Sequence, residues 1–158
     1  MRFSGPAHVF DSLHDALDCL RSGGVQPGEA LILRYMGLKG RFGTTAFTFQ
    51  EELKGIPELY DTCAIITDGR FSGGTSGLSV GYASPEAALG GPLALVQNGD
   101  MVTIDVPDRA IRVEVEEAEM ARRRQQFHWT FKTEEYPRYL NLFVKNVGSM
   151  AKGGIWEV

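Results

Sequence analysis

The apolar residues of this chain recur in short runs separated by polar turns. Near the start, apolar residues follow the i, i+3, i+4, i+7 spacing of one helix face, and Asp11 or Ser12 can cap that helix: Leu13, Ala16, Leu17 and Leu20. Other apolar runs have the length and composition of strands: residues 7–10, 30–36, 62–67, 78–83, 93–97, 101–106 and 110–115. About seven short strands with a few helices predict an α+β domain.

Turn residues divide the rest of the chain. Asn98-Gly99 and Pro107-Asp108 separate the last three predicted strands, which favours an antiparallel meander. Ser84-Pro85-Glu86 has the order of a helix start, with a capping serine followed by proline and an acid. Further helices are predicted over residues 48–55 and 116–126, whereas residues 37–48 are predicted as a loop.

The stretch after the predicted strand 62–67 contains the strongest candidate chemistry. Thr67-Asp68-Gly69-Arg70 is followed by Phe71-Ser72-Gly73-Gly74-Thr75-Ser76-Gly77. A glycine-rich loop after a buried strand lets the backbone approach a ligand, and its N–H groups can bind an anion. Ser72 and Thr75 are expected to direct hydroxyl groups into that space.

Composition excludes several classes of function. The chain has 158 residues, enough for one domain, and its formal net charge of −4 without a basic patch argues against a nucleic-acid partner. We see no apolar run long enough for a membrane span and no signal peptide, so we expect a cytoplasmic protein. Cys19 and Cys63 are too few and too far apart for a zinc site or an iron–sulfur cluster. His8 has no obvious acidic partner and His14 lies on the polar side of its predicted helix, so neither receives a catalytic role.

The last part of the chain differs from the rest by its aromatic content. We therefore divide the chain into residues 1–126 and an aromatic tail, residues 127–158, which contains an apolar helical pattern within residues 136–150. Aromatic side chains need cover, either on their own domain or on a partner chain. The tail's aromatic residues are Phe127, Trp129, Phe131, Tyr136, Tyr139, Phe143 and Trp156.

Three long words in the sequence, TDGRFSGGT, SPEAALGGP and LVQNGD, resemble the signature of the dihydroxy-acid dehydratase and phosphogluconate dehydratase family, ILVD/EDD. The resemblance runs from GPAHVFDS at 5–12 to ARRR at 121–124 and fades beyond Phe127. It covers the C-terminal domain of the family enzymes, whose chains are several times longer. It implies a barrel-like β/β/α swivelling domain.

The resemblance also implies a reaction. The family removes water from 2,3-dihydroxy carboxylic acids, in amino-acid biosynthesis or sugar-acid metabolism, to give 2-keto acids. Its iron–sulfur cluster and Mg²⁺ are bound mainly by an N-terminal domain that this sequence lacks. The C-terminal domain contributes the serine of the FSGG word as the base, here Ser72, and the resemblance makes Gly73, Gly74 and Thr75 the substrate-binding residues.

Two departures from the family pattern limit this expectation. Ala46 stands where family members carry a glutamate that binds magnesium, and a methyl group cannot bind a cation. A shifted alignment would put Glu51 or Glu52 there instead. Ser76 stands where dihydroxy-acid dehydratases often have arginine, which leaves a sugar-acid substrate open.

Two functions therefore remain. The first is the C-terminal domain or small subunit of a hydro-lyase, inactive without a separate cluster-bearing subunit and open to homo-oligomerisation. The second is a stand-alone, non-catalytic remnant that binds a small carboxylate or a protein partner.

Overall fold

A computed structural model describes residues 1–131 and 137–157. The strands in chain order are β1 Arg2–Phe10, β2 Ala30–Leu33, β3 Ala64–Thr67, β4 Ser79–Val80, β5 Met101–Asp105 and β6 Ala110–Val113. The α-helices are α1 Leu13–Arg21, α2 Leu38–Arg41, α3 Phe47–Lys54, α4 Pro57–Thr62, α5 Pro92–Leu95, α6 Glu117–Gln126 and α7 Arg138–Asn146. Single 3₁₀ turns occupy Ala87–Leu89 and Met150–Lys152.

The six strands form one mixed sheet in the order β4-β3-β2-β1-β5-β6, which curls into a half-barrel. β1 joins its two parts, because its first half pairs antiparallel with β5 and its second half pairs parallel with β2. The change falls between Pro6, opposite Met101, and Ala7, opposite Ala30. The parallel strands β1, β2 and β3 therefore end at the same edge of the sheet.

Side chains alternate between two cores, one on each face of the sheet. Leu31, Leu33 and Ile65 face the helices α1 and α3, where Phe49 and Leu53 are buried. The alternate residues of β2 and β3 face the inside of the half-barrel: Ala30, Ile32, Ala64 and Ile66. They pack there with Leu93 and Val96 and with Val102 and Ile104 of β5. Strands buried on both faces have the continuous apolar sequence seen here.

The structure confirms the α+β class and the barrel-like sheet. α1 begins at Ser12, whose Oγ accepts a hydrogen bond from the N–H of Asp15. β5 and β6 form the predicted antiparallel hairpin, and α6 forms over the predicted segment with an i, i+4 ion pair between Glu119 and Arg123, whose Oε1 and Nε are 2.9 Å apart.

The predicted strand over residues 93–97 is wrong. Pro92 occupies the first position of α5, so the apolar run packs as a helical turn inside the half-barrel rather than as a strand. The three-stranded meander is therefore a two-stranded hairpin. A short run of apolar residues fits a buried helix as well as a strand, and the period alone does not separate them.

Other segments also differ from prediction. The loop predicted over residues 37–48 contains α2. The strand predicted over residues 78–83 shortens to β4, which runs parallel to β3. Ser84 precedes a cis peptide bond to Pro85, and Glu86 instead flanks the 3₁₀ turn.

The tail contacts the rest of the chain through aromatic pairs. Trp129 stacks on Tyr35 with ring centroids 5.3 Å apart, and Phe42 contacts Phe131 and Phe143. Tyr139 and Trp156 nevertheless stay 68% and 58% exposed. Tyr136 and Val158, which fall in the predicted tail, lie outside the described residues, and the division at residue 126 stays a prediction.

Among the described residues, no helix combines the length and apolar character needed to cross a membrane.

Candidate functional site

The glycine-rich loop follows directly from the end of β3. Thr67 is the last residue of that strand, and the loop leads to β4 at Ser79. It therefore lies at the carboxyl edge of the parallel strands, where open sheets of this kind usually bind ligands.

Ser72 is exposed on this loop. Its Oγ accepts a hydrogen bond from the N–H of Gly74 at 3.4 Å, and its carbonyl oxygen accepts one from the N–H of Thr75 at 3.1 Å. A tight turn thus directs one amide toward the hydroxyl oxygen. An N–H group that points at a developing negative charge stabilises an alkoxide. The hydrogen bond from Gly74 to Ser72 Oγ is longer than most.

The two hydroxyl groups of the loop do not share one surface. Thr75 Oγ1 is buried and has no hydrogen-bond partner among the described residues, whereas Ser72 is open to solvent. Gly73 is exposed, and a Cβ placed on it would meet no atom within 4 Å. Ser72, Gly73 and Gly74 are therefore a continuous exposed stretch of the loop, which Thr75 separates from exposed Ser76 and Gly77. The roles predicted for these residues and for Thr75 stay predictions.

Two helices support the far end of the loop. The Gln50 side chain of α3 is fully buried, and its Nε2 donates to the carbonyl oxygen of Ser76 at 3.4 Å. The Tyr60 hydroxyl of α4 donates to Ser76 Oγ at 2.8 Å. These contacts hold the residue that stands in the place of the family arginine.

Asp68 is a buried anchor at the start of the same loop, which the sequence analysis missed. It is 0% exposed. Its Oδ1 accepts from the N–H of Met36 at 2.8 Å, and its Oδ2 accepts from the N–H of Tyr35 at 3.2 Å and of Ala87 at 2.9 Å. One carboxyl group therefore fixes the segments after β2 and before α5 to the end of β3.

Glu86 is a second buried anchor, also 0% exposed. Its Oε2 accepts from the N–H of Lys39 at 2.9 Å, and its Oε1 accepts from the N–H of Met150 at 3.1 Å. A Cβ on Gly37 would lie 2.4 Å from Oε2, so a glycine at this position makes room for the carboxyl group. Glu86 thus joins α2 to the tail.

Burial raises the pKa of Asp68 above its ordinary range. The hydrogen bonds from the N–H groups of Ala87, Met36 and Tyr35 oppose this effect, and repulsion from Glu86 adds to it. Both acids occur in the words TDGR and SPEA, yet their hydrogen bonds go to backbone groups of their own chain. The signal that could have identified Asp68 is a polar residue placed directly after an apolar strand, whereas Glu86 follows no strand directly and carries no such signal.

The carboxylates of the described residues do not fit the family's Mg²⁺ site. Ala46 is fully buried beside the loop, and its N–H donates to the carbonyl oxygen of Arg70 at 2.8 Å. Both carboxylate oxygens of Glu52 accept from Arg21, at 2.8 and 2.5 Å, while Glu51 lies on the exposed side of α3. No group of three or more His, Cys, Asp or Glu side chains in the described residues could hold a metal ion.

The two cysteines do not fit an iron–sulfur cluster. Cys63 is buried, and its Sγ donates to the carbonyl oxygen of Gln26 at 3.3 Å, whereas Cys19 is half-buried on α1. Cys19 Sγ lies 3.9 Å from Nε2 of His8. The absence of an acidic partner predicted for His8 is wrong, because its Nδ1 lies 3.0 Å from Glu29 Oε2.

A family model matches this chain over most of its length. The family model described as "Dihydroxy-acid/6-phosphogluconate dehydratase C-terminal" matches residues 1–154. The match includes most of the aromatic tail, where the resemblance read from the sequence fades.

Proposed function

This chain belongs to the C-terminal domain family of dihydroxy-acid and 6-phosphogluconate dehydratases, and from this premise we propose that it supplies the base of a hydro-lyase. The substrate is a 2,3-dihydroxy carboxylic acid and the product is a 2-keto acid. The observation that carries this proposal is the exposed Ser72 hydroxyl, with the Gly74 N–H directed at it, on a loop at the carboxyl edge of the parallel strands.

Ser72 acts on the proton at C2 of the substrate. Its Oγ, as an alkoxide, takes that proton while the C3–O bond breaks, and the departing hydroxide becomes water with the proton that Ser72 has taken, which restores the alkoxide. The resulting enol then becomes the 2-keto acid by moving its proton to C3. A serine hydroxyl is a weak base, so the loop amides of Gly73 and Gly74 must stabilise its deprotonated form.

The chain needs a second domain or subunit for this reaction. The loop from Phe71 to Gly77 contains no acidic or basic side chain that could assist departure of the C3 hydroxyl. The carboxylates and thiols of the described residues do not fit the family's metal groups. The assisting group therefore comes from a cluster-bearing partner, and the chain alone is inactive.

A sugar acid fits this loop better than a branched-chain dihydroxy acid. Ser76 replaces the arginine common in dihydroxy-acid dehydratases, and its hydroxyl is held by Tyr60. Hydroxyl groups at this position can form hydrogen bonds with a polyhydroxylated substrate.

A reconstitution experiment tests the proposal. The chain is mixed with the cluster-bearing N-terminal part of a family dehydratase, and 2-keto acid formation is measured for sugar acids and branched-chain dihydroxy acids. We expect turnover by the mixture and none by either component. Ser72→Ala should reduce turnover by roughly 10²–10⁴-fold, the usual contribution of a general base.

Ser22→Ala is the matched control, because Ser22 is an exposed serine at the end of α1. It should leave turnover unchanged. Full activity of the Ser72→Ala mixture, with assembly verified by sedimentation, would contradict the proposal.

The buried Ala46 at the place of the metal-binding glutamate favours a second function, a non-catalytic carboxylate-binding domain. The backbone amides of Gly73 and Gly74 should then shift in an NMR titration with gluconate while every reconstituted mixture stays inactive. Turnover in the mixture would decide for the hydro-lyase.

A further inference from the structure

The curled sheet is incomplete on one side. Among the described strands, β4 and β6 are the two ends of the sheet, so each has one edge without a neighbouring strand. Val80 of β4 and Ile111 and Val113 of β6 line the same cavity, whose volume is about 290 Å³. The gap between the two edges therefore opens into the inside of the half-barrel.

Backbone groups of β6 point into this gap. The N–H of Glu114 donates to the carbonyl oxygen of Met101, and Thr103 lies opposite Arg112 in the same register. In an antiparallel pair, hydrogen-bonded residues alternate with residues whose backbone groups point away from the partner strand. Ile111 and Val113 are the alternate residues, so their N–H and C=O groups face outward. Such an edge can pair with another strand.

The same two residues direct their side chains into the cavity. Val113 lies opposite Val102 and Ile111 opposite Ile104, and both β5 partners are buried. Ile111 is nevertheless 48% exposed. The cavity wall is apolar apart from Ser84 and Arg112. Arg112 borders the cavity but lies between Ile111 and Val113 along β6, so its side chain leaves the strand on the opposite face.

We propose that this gap binds an extended segment of a partner polypeptide, with aliphatic side chains at alternate positions and an acidic residue between them. The aliphatic side chains fill the cavity, and the backbone of the segment pairs with Ile111 and Val113. The acidic residue lies on the opposite face, across from Arg112, which is exposed and forms no ion pair within the described residues. A small apolar molecule would leave the backbone groups of β6 unpaired.

The proposal goes beyond the dehydratase function and does not depend on it. Ser72 is not among the residues that line the cavity. Loss of turnover in Ser72→Ala therefore does not test segment binding. Failure of segment binding likewise does not test the proposed role of Ser72.

Binding is tested with a blocked nine-residue synthetic peptide that alternates valine and glutamate. Amide hydrogen exchange of the full chain is followed by NMR with and without the peptide. We expect exchange at Ile111 and Val113 to slow by at least about tenfold when the peptide forms a strand on this edge. A peptide N-methylated at alternate residues, and therefore unable to donate to the edge, should give no protection.

Ile111→Lys should abolish the protection of Val113. Val106→Lys is the matched control, because Val106 is 51% exposed but lies outside the cavity, and it should keep the protection. A peptide with lysine in place of glutamate should bind more weakly, through loss of the pair with Arg112.

Three results would overturn the proposal: unchanged exchange at Ile111 and Val113, equal binding of the N-methylated peptide, or self-association of the free chain through β6. If Ile111→Lys does not fold, the two peptides still decide between strand pairing and simple apolar binding.

Discussion

The two acids of the family signature and its glycine-rich loop lie close together in the chain but have opposite environments. Asp68 and Glu86 are both 0% exposed and accept five backbone hydrogen bonds between them. Ser72, Gly73 and Gly74, which lie between those acids in sequence, are exposed. One signature therefore contains residues that hold the fold together and residues that are open to solvent.

This contrast changes how a signature match is used. Carboxylates are the residue type that metal sites and acid–base catalysis use, so Asp68 and Glu86 would attract attention in any search for catalytic groups. Their hydrogen bonds instead anchor the segments around the sheet edge that presents the loop. The contrast predicts that substitutions at the anchors change stability, and substitutions in the loop change activity.

The largest effect is expected for Asp68→Ala. It leaves three buried N–H groups, those of Tyr35, Met36 and Ala87, without their acceptor. Because each unsatisfied buried group costs about 1–3 kcal/mol, we expect a loss of roughly 3–5 kcal/mol in the free energy of unfolding. Urea denaturation measures this loss. Asp61→Ala, at an exposed position of α4, is the control and should stay within about 0.5 kcal/mol. A similar small change in Asp68→Ala would remove the distinction between anchor and surface acid.

Glu86→Ala should have the next largest effect. It removes the acceptor for the N–H groups of Lys39 and Met150, which predicts a loss of about 2–3 kcal/mol. Exchange of the Met150 amide should become faster, since this contact joins the tail to α2. Glu51→Ala, on the exposed side of α3, should change neither quantity. Unaltered exchange at Met150 would show that other contacts hold the tail.

Two glycines test the same contrast through packing. A Cβ at Gly69, next to Asp68, would lie 2.5 Å from the carbonyl oxygen of Thr44 and 2.6 Å from Cβ of Met36. Gly69→Ala should therefore cost about 1–3 kcal/mol, as expected for overpacking. Gly73→Ala meets open space and should leave the urea midpoint almost unchanged. Equal midpoints for the two variants would mean that the backbone at Gly69 adjusts freely.

Hydrophobic spacing was enough to predict those parts of the fold where the spacing fits only a helix or only a strand. α1 has both a helical period and a capping serine, and the β5–β6 hairpin has alternating residues around a turn. The apolar run at residues 93–97 fits either a strand or a buried helical turn. Pro92, at the first position of α5, favours the helix. The parallel pairing of β4 with β3 was not predictable, because a strand of only two residues has no period and the connection between the two strands is a loop rather than a helix.

The sequence was enough to predict the loop of the candidate site but not the positions and contacts of its side chains. The words around Ser72 resemble those of a family, and the family model agrees. Burial of the Thr75 hydroxyl depends on tertiary packing, as do the contacts of Gln50 and Tyr60 with Ser76. The anchor role of Asp68 likewise depends on N–H groups at residues 35, 36 and 87, which sequence spacing does not bring together.

A smaller effect concerns pH. Burial raises the pKa of Asp68, so the folded chain binds more protons than the unfolded chain at this site. The corresponding stability is complete below the unfolded value, 3.8, and is lost as pH rises through the folded pKa. The difference in unfolding free energy between the native chain and Asp68→Asn should therefore widen as pH falls from about 7 towards 4.

Asp100 gives a control of opposite sign. Burial opposes the shift, but the hydrogen bonds from Arg123 and from the N–H of Gln97 lower its pKa. The stability that Asp100 contributes is present above its unfolded pKa of 3.8 and is lost as pH falls through the folded pKa. The difference in unfolding free energy between the native chain and Asp100→Asn should therefore become smaller in acid. Urea denaturation across the pH range measures both free-energy differences. If the two differences changed with pH in the same direction, the raised pKa of Asp68 would be contradicted.

The smallest effect on stability is expected at the residue with the largest proposed effect on chemistry. Ser72 is exposed, and its hydroxyl accepts one long hydrogen bond from the N–H of Gly74. That N–H can bind water when the hydroxyl is removed, so Ser72→Ala should change the free energy of unfolding by no more than about 0.5 kcal/mol. Thermal and urea unfolding of the isolated chain measure this change. Ser12→Ala is an informative comparison, since Ser12 caps α1 through the N–H of Asp15, and loss of such a cap costs about 1 kcal/mol. A Ser72→Ala loss as large as that of Ser12→Ala would show that the Ser72 hydroxyl helps to fold the loop, and the separation between anchors and reactive loop would then fail at its central residue.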